Sequence, residues 1–458
     1  MLSPATRQDT IAAIATAPGV GALGIIRVSG SEAISKINQL FPKKNLEKVK
    51  PYTLHFGPLQ HNGFLLDEVL LSIFHNPKSY TGENLVEISC HGSPFILQKV
   101  METLVDIDIR PAEPGEFTLR AFMNGKLDLA QAEAVSDLIF SESESAHKAA
   151  LEQMRGGFSQ KIRELRAQLL QFASLIELEL DFAEEDVEFA NRDSLKNLLL
   201  SIYTEVEKLL QSFKLGNVMK AGVKVVIAGR PNAGKSTLLN ALLNEERAIV
   251  SDIPGTTRDT IEDTISIEGI QFRFIDTAGI RATTDVLENI GIERTMDKLR
   301  EANLILYLFD VNELSQSELE NDIKKLPQDK YILVLGNKID RDSDENYRAK
   351  FQLSQDHIFI SSKEKLYIDT LKNALVKSLH LPDIQIHDTV VTNIRHVHAL
   401  QNVKTSIENI QNGIEIGITT DLIASDIRHA LHHMGEITGE ITNDEILGNI
   451  FSKFCIGK

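Results

Sequence analysis

Eight residues in the middle of the chain constrain its fold more than any other stretch. Gly229-Arg230-Pro231-Asn232-Ala233-Gly234-Lys235-Ser236 follows a run rich in Val and Ile, 223–228, and precedes a run of helix formers. In that setting the pattern is a P-loop, whose glycines let backbone N–H groups wrap a phosphate at a helix N-terminus. Lys235 neutralises the outer phosphates and Ser236 offers its hydroxyl to magnesium, with Ala233 and Thr237 completing the candidate contacts. Downstream, 264–268, 271–275, 304–310, 332–336 and 358–360 read as buried strands alternating with helices. This predicts a doubly wound, Ras-like P-loop domain over 218–381, with Leu381-Pro382 at its exit.

Further short motifs stand in the order that a GTP site requires. Asp276-Thr277-Ala278-Gly279 closes a strand, where the carboxylate reaches a magnesium shell and the Gly279 amide a γ-phosphate. Asn337-Lys338-Ile339-Asp340 follows another strand. The Asp340 carboxylate can accept from both N1 and the exocyclic amine of guanine, a pair of donors that adenine lacks. Ser361-Ser362-Lys363 follows the next strand and can contact the guanine oxygen. Gly255-Thr256-Thr257-Arg258-Asp259 lies between the P-loop and Asp276, the place of a first switch segment, and Ser251, Asp252, Ile253 and Pro254 before it are further GTP-site candidates. One departure matters: Ile280 stands where Ras-like proteins carry a water-orienting glutamine. Asp285, Glu288 and Glu293 are the acidic candidates for that task.

The rest of the chain is built differently. At 458 residues there is room for roughly three domains, each with its own core. Up to about residue 120, β-patterned runs at 23–28, 64–74 and 85–90 dominate, interrupted by one helix-like stretch at 94–104. From 130 to 213 and again from 395 to 454 the pattern is helical. Leu165, Leu169, Phe172, Ile176 and Leu180 form one apolar stripe. The expected organisation is multidomain, α/β plus α. An N-terminal α+β domain spans 1–120 and a discontinuous helical domain spans 121–217 and 382–458, with the Ras-like domain inserted.

Composition excludes several classes. With 48 basic against 65 acidic side chains the net charge is −17, which argues against coating nucleic acid through phosphate neutralisation, though not against a local site for one RNA. Two cysteines, Cys90 and Cys455, make neither a disulfide framework nor a Cys-rich zinc site, so a reducing cytoplasm is the expectation. The apolar stretch 11–26 imitates a signal core, but Asp9 offsets Arg7, and Pro18, Gly19, Gly21 and Gly24 break any helix there. The terminal Cys455-Ile456-Gly457-Lys458 ends in Lys, which a prenylation box does not favour. No run of 18 uncharged apolar residues predicts a membrane span.

These residues resemble the MnmE (TrmE) family of tRNA modification GTPases. The resemblance runs the length of the chain: the P-loop, Gly255-Thr256-Thr257-Arg258-Asp259, Pro114-Gly115-Glu116-Phe117, the segment 124–133 around Lys126, and the terminal Phe454-Cys455-Ile456-Gly457-Lys458. It implies an N-terminal domain that is folate-binding and mediates a homodimer, with 5-formyltetrahydrofolate or a related tetrahydrofolate held by Arg27, Glu87, Lys126 and Lys458. Cys455 would be the catalytic thiol of the modification. Read alone, beside Phe454 and Ile456, it reads as a small packed apolar residue.

The resemblance also fills the gap left by Ile280. It implies a potassium ion held by Asn232, Ser251, Ile253 and Thr256, magnesium held by Ser236 and Thr257, and Glu288 as the water-orienting group. Position 251 is Ser where Thr is expected, which ligation through the backbone tolerates. The implied activity is potassium-stimulated GTP hydrolysis coupled to modification of the tRNA wobble uridine at carbon 5. An FAD-dependent partner protein, in a heterotetramer, is implied as well, since this chain has no flavin fingerprint. The rival expectation is a GTP-switched ribosome-assembly or scaffold GTPase without modification chemistry, although the chain carries no appended basic RNA-binding module.

Overall fold

The computed structural model describes residues 9–181, 192–243, 263–275, 297–341, 347–379, 390–442 and 444–457. The chain divides into two compact units. One comprises Met1–Ile139, Glu152–Val206 and His398–Lys458, the other Phe140–Leu151 and Glu207–Val397.

The first unit starts with a six-stranded sheet. Its strands are β1 (Ile11–Ile14), β2 (Leu23–Ser29), β3 (Thr53–His61), β4 (Phe64–Phe74), β5 (Leu85–His91) and β6 (Arg110–Pro111), in the order β3-β4-β5-β2-β1-β6. All pairs are antiparallel except β1–β6. Alternation sorts the faces: Ile26, Val28, Val86 and Ile88 point into a core closed by helices α1 (Ala33–Leu40) and α2 (Pro94–Asp106). Pro94 opens α2 at a position where a missing N–H costs nothing. Arg27 and Glu87 therefore share the opposite face, directly across from each other in the β2–β5 ladder. Helix α3 (Glu116–Met123) is buried at six of its eight positions.

Helices α4 (Leu129–Ile139), α5 (Glu144–Met154), α6 (Gly157–Asp181) and α7 (Arg192–Ala221) follow. On α6 the stripe Leu165, Leu169 and Ile176 is buried and Phe172 half-buried. The Leu180 side chain lies outside the described residues.

The second unit holds β7 (Val223–Ala228), α8 (Lys235–Leu243), β8 (Asp263–Ile267), β9 (Ile270–Phe274) and β10 (Leu304–Asp310). These are followed by α9 (Gln316–Lys324), β11 (Tyr331–Asn337), α10 (Tyr347–Lys350), β12 (His357–Phe359) and α11 (Ile368–Ser378). The strand order is β12-β11-β10-β7-β9-β8, parallel throughout except for the β8–β9 hairpin. That hairpin turns on Glu268 and Gly269, both at positive φ, as a tight two-residue turn demands. Every residue of β10 is buried, as expected of a strand covered on both faces. Successive strands leave β7 on opposite sides, β9 and then β10, so the carboxyl edge of β7 is a topological switch point, where ligand crevices form.

Helices α12 (Ile394–Ile416), α13 (Thr420–Thr438) and α14 (Asp444–Phe451) end the chain. Within the first unit, α13 buries Ile423, Ile427, Ala430 and Met434 at helical spacing. Arg166 of α6 donates to the Leu431 carbonyl of α13 at 3.3 Å and pairs with Glu440 at 2.6 Å. The two helical stretches, far apart in sequence, thus belong to one body. No helix among the described residues is long and apolar enough to cross a membrane.

Candidate functional sites

The loop between β7 and α8 is shaped by three backbone conformations that ordinary residues avoid. Gly229 has φ 147°, Asn232 62° and Gly234 100°. A Cβ at Gly229 would lie 2.1 Å from the Leu308 carbonyl oxygen, and one at Gly234 would lie 2.4 Å from Asn337 Nδ2. Glycine is required at both places by conformation and by space. Backbone N–H groups at a nine-residue helix's N-terminus suit an anion, and the residue types present fit a nucleotide's phosphates and their magnesium. Lys235 Nζ rests on the Gly229 and Arg230 carbonyls at 2.7 and 3.0 Å, and burial holds its pKa below the ordinary lysine value. Asn232 is exposed, open to an ion or a partner surface.

Asn337 does more than its motif suggested. It is buried, donates from Nδ2 to the Ala233 carbonyl at 2.8 Å, and accepts at Oδ1 from both the amide and the hydroxyl of Ser362 at 3.0 Å. One side chain therefore ties the phosphate loop to the segment after β12. Lys338, at φ 65°, sets its ammonium 2.7 Å from Asp310 Oδ2. Burial raises the Asp310 pKa, but Lys338 and Asn312 outweigh it and the carboxyl stays below its ordinary range. Asp340 is exposed, with Oδ1 accepting from Ser361 Oγ at 2.5 Å, a bond that orients the carboxylate. Lys363 is exposed and pairs with Glu364 at 3.1 Å. The structure thus brings 232–237, 337–340 and 361–363 to one end of the parallel sheet. The candidates Ser251, Asp252, Ile253, Pro254, Gly255, Thr256, Thr257, Asp276, Thr277, Ala278, Gly279 and Glu288 lie outside the described residues.

A second constellation lies on the face of the antiparallel sheet opposite α1 and α2, where Phe117 of α3 and Tyr80 pack with Ile11 and Ala13. Arg27 donates from Nε and Nη2 to Glu87 Oε1 at 3.0 and 2.8 Å, and its Nη1 donates to the Gly457 carbonyl at 3.3 Å. The guanidinium also stands 5.4 Å from the Tyr80 ring and 5.8 Å from the Phe117 ring, within cation–π range. Tyr80 is itself fixed by a 2.9 Å bond to the Thr118 hydroxyl, and burial pushes its phenol up.

The C-terminal tail is seated on both sides of Cys455. Phe454 is buried with Leu119, Leu129 and Phe451. Gly457, at φ 96°, leaves no space for a Cβ, which would meet the Ile14 carbonyl at 2.6 Å. Cys455 between them is exposed, so it is not the packed apolar residue that its neighbours allowed. Lys126 is exposed and donates to the Pro77 carbonyl at 3.2 Å, at the foot of the loop that carries Tyr80. Lys458 lies outside the described residues. The residue types fit a folate: a cation, a carboxylate, and ring faces beside them. Tyr80, Phe117 and Gly457 were missed by sequence reasoning. Only the terminal motif itself could have signalled Gly457.

A charge network joins Asp9, Arg110, Glu116, Arg120 and Glu83, with Glu116 and Arg120 buried and Asp9 exposed. Arg110 and Arg120 share Glu116 Oε1 at 2.6 and 3.0 Å, and Glu83 accepts from Ser29 at 2.8 Å. Burial alone would raise the Glu116 pKa; Arg110, the Glu113 amide and Arg120 outweigh it, and the carboxyl stays below its ordinary range.

Known proteins match this chain along almost its whole length. The family described as "MnmE helical domain" matches residues 129–455, and "GTP-binding protein TrmE N-terminus" matches 10–126. A tRNA modification GTPase MnmE of Cytophaga hutchinsonii is 51% identical over 451 residues, 98% of each chain. Proteins of the same name from Christiangramia forsetii and Flavobacterium johnsoniae are each 52% identical, over 98% of this chain and 99% of their own. With a P-loop edge at one sheet, a charged face on the other and helices matched from end to end, the chain belongs to the MnmE (TrmE) family, GTP hydrolases that act in tRNA modification.

Proposed function

We propose that this chain is a potassium-stimulated GTPase that modifies carbon 5 of the tRNA wobble uridine. It acts in the cytoplasm as a homodimer, together with an FAD-dependent partner protein. In this reading the N-terminal domain spans 1–120, the helical domain 121–217 and 382–458, and the GTPase domain 218–381. Lys235, Ser236 and the loop amides bind the phosphates, and Asp340 with Ser361–Lys363 selects guanine. Magnesium, on Ser236 and Thr257, supplies charge neutralisation. Potassium, on Asn232, Ser251, Ile253 and Thr256, supplies the positive charge that an arginine gives elsewhere. Glu288 orients the attacking water. Arg27, Glu87, Lys126 and Lys458 hold a tetrahydrofolate, which supplies the one-carbon unit, and Cys455 is the thiol of the modification.

One observation carries the modification reading over that of a pure switch. The guanidinium of Arg27 reaches both Glu87 and the Gly457 carbonyl, so the segment bearing an exposed thiol ends on the candidate folate pair. The scaffold reading assigns that junction no role. The test is mass analysis of wobble uridines from a strain lacking the gene. Loss of a carbon-5 substituent, regained with the parent chain, supports the reading, and an unchanged nucleoside profile overturns it. Steady-state hydrolysis in matched potassium and sodium buffers tests the ion. Equal rates remove it and leave Arg258, in the Gly255–Asp259 motif, or Arg281, next to Ile280, as the candidate source of positive charge.

A further inference from the structure

The second residue of the phosphate loop is tied to a helix that none of the nucleotide motifs includes. Arg230 Nε donates to Asp322 Oδ2 at 2.7 Å, and its Nη1 donates to Glu318 Oε1 at 3.3 Å, both on α9. Neither acceptor is loose. Glu318 Oε2 takes the Ser315 amide at 3.1 Å and the Ser315 hydroxyl at 2.7 Å, the capping box that starts α9. Asp322 Oδ2 also accepts from Tyr307 OH at 2.9 Å. Burial raises the Asp322 pKa, but Arg230 and Tyr307 outweigh it, keeping the carboxyl below its ordinary range and charged.

The strand side is equally constrained. Tyr307 stands opposite Ala228, the last residue of β7, in the β10–β7 ladder. The next residue of β10, Leu308, presents the carbonyl that leaves no room for a Cβ at Gly229. On the other side of the loop, the Gly229 and Arg230 carbonyls are the two oxygens on which Lys235 Nζ rests. A continuous set of contacts thus runs from β10 and α9 through the Arg230 side chain to its carbonyl and on to Lys235.

We propose that Arg230 is a positioning residue for nucleotide binding: held by Asp322 and Glu318, it fixes the carbonyls that seat Lys235 and so sets how long GTP and GDP stay bound. The acidic side of α9 then acts as a lever on the phosphate loop. Whatever draws Asp322 or Glu318 away from Arg230 speeds nucleotide loss. The inference rests on reading 229–236 as the phosphate site, and Lys235→Ala tests that reading separately, since nucleotide binding by this variant must collapse if the reading holds.

The test uses the full chain and the release of fluorescent GDP and GTP analogues, alongside hydrolysis kinetics and thermal melting. The variants are Arg230→Ala, Arg230→Lys, Asp322→Ala and the Arg230→Ala/Asp322→Ala double. Release is expected to quicken about threefold to tenfold in Arg230→Ala, the range of a partly exposed arginine bonded once to each of two carboxylates. Asp322→Ala should follow, and the double variant should fall short of the product of the two singles. Arg230→Lys, a point charge without the fork, should lie between parent and Ala. KM should rise with release while kcat moves less, and the melting midpoint should hold. Unchanged release in Arg230→Ala, a fully multiplicative double variant, or release that follows a fall in melting temperature would each overturn the proposal.

Discussion

The parallel sheet and the antiparallel sheet each carry a candidate ligand site, but they build it from different parts. At the carboxyl edge of β7 the material is backbone: two glycines too crowded for a Cβ, an Asn at positive φ, and a helix N-terminus, all within eight consecutive residues. On the face of β2 and β5 the material is side chains. Arg27, Glu87, Tyr80 and Phe117 come from four segments, and the carbonyl that Arg27 reaches is 430 residues away in sequence. A backbone site is compact in sequence and depends on conformation. A side-chain site depends on the tertiary fold delivering its members to one face. Substitutions should therefore separate the two activities cleanly.

The largest separation is expected at the tail. Cys455→Ser should abolish wobble-uridine modification in cells while GTP hydrolysis of the purified chain stays near the parent rate. Persistence of the modified nucleoside in a strain carrying only this variant would return Cys455 to a structural role. Next is Glu288→Ala, which should leave nucleotide binding intact and slow turnover about 100-fold, the scale of a positioned acid–base group. Parent-like turnover would move the water to Asp285 or Glu293.

Asp340→Asn tests the guanine end of the backbone-built site. An amide cannot accept from both donors of guanine, and each charge-assisted bond lost costs about 1.5–3 kcal/mol. A binding titration should show GTP affinity falling and xanthosine triphosphate gaining. Unaltered preference removes the assignment. Smallest is Arg27→Lys on the side-chain-built face, where a point charge replaces a fork that now serves Glu87 and Gly457 together. Binding of 5-formyltetrahydrofolate should weaken about tenfold, equivalent to 1.4 kcal/mol, with GTP hydrolysis unaffected. Equal folate affinity in calorimetry would break the comparison by showing that the ligand does not use this cation.

Legibility in the sequence follows the same division. The strands of the parallel sheet were readable to within a residue because each is a short, buried run bounded by turn residues: 223–228 and 304–310 coincide with β7 and β10. In the N-terminal region 64–74 coincides with β4, and α2 was visible from its opening Pro94. Helices α1 and α3 were not anticipated there. Buried at six of eight positions, α3 includes Glu116, Thr118 and Arg120 among its buried residues, so polarity does not mark an exposed face for the sequence pattern to detect. Strand β1 merges into the apolar stretch 11–26, which has no internal boundary except its glycines and proline.

What the sequence determined by itself is the local chemistry. A loop that needs glycine at 229 and 234, with a lysine to follow, and the Asn337–Asp340 motif are specified by neighbouring residues, because φ and ψ are set within a few peptide units. Only the tertiary structure decided that Asn337 would join the phosphate loop to Ser362, that Arg230 would lean on α9, that α6 would find α13, and that the tail would end on Arg27. Contacts between segments far apart in sequence leave no period and no spacing in the chain. They exist because burying the apolar faces of the sheets and helices brings those segments together, and the polar side chains carried with them then pair wherever charge and distance allow.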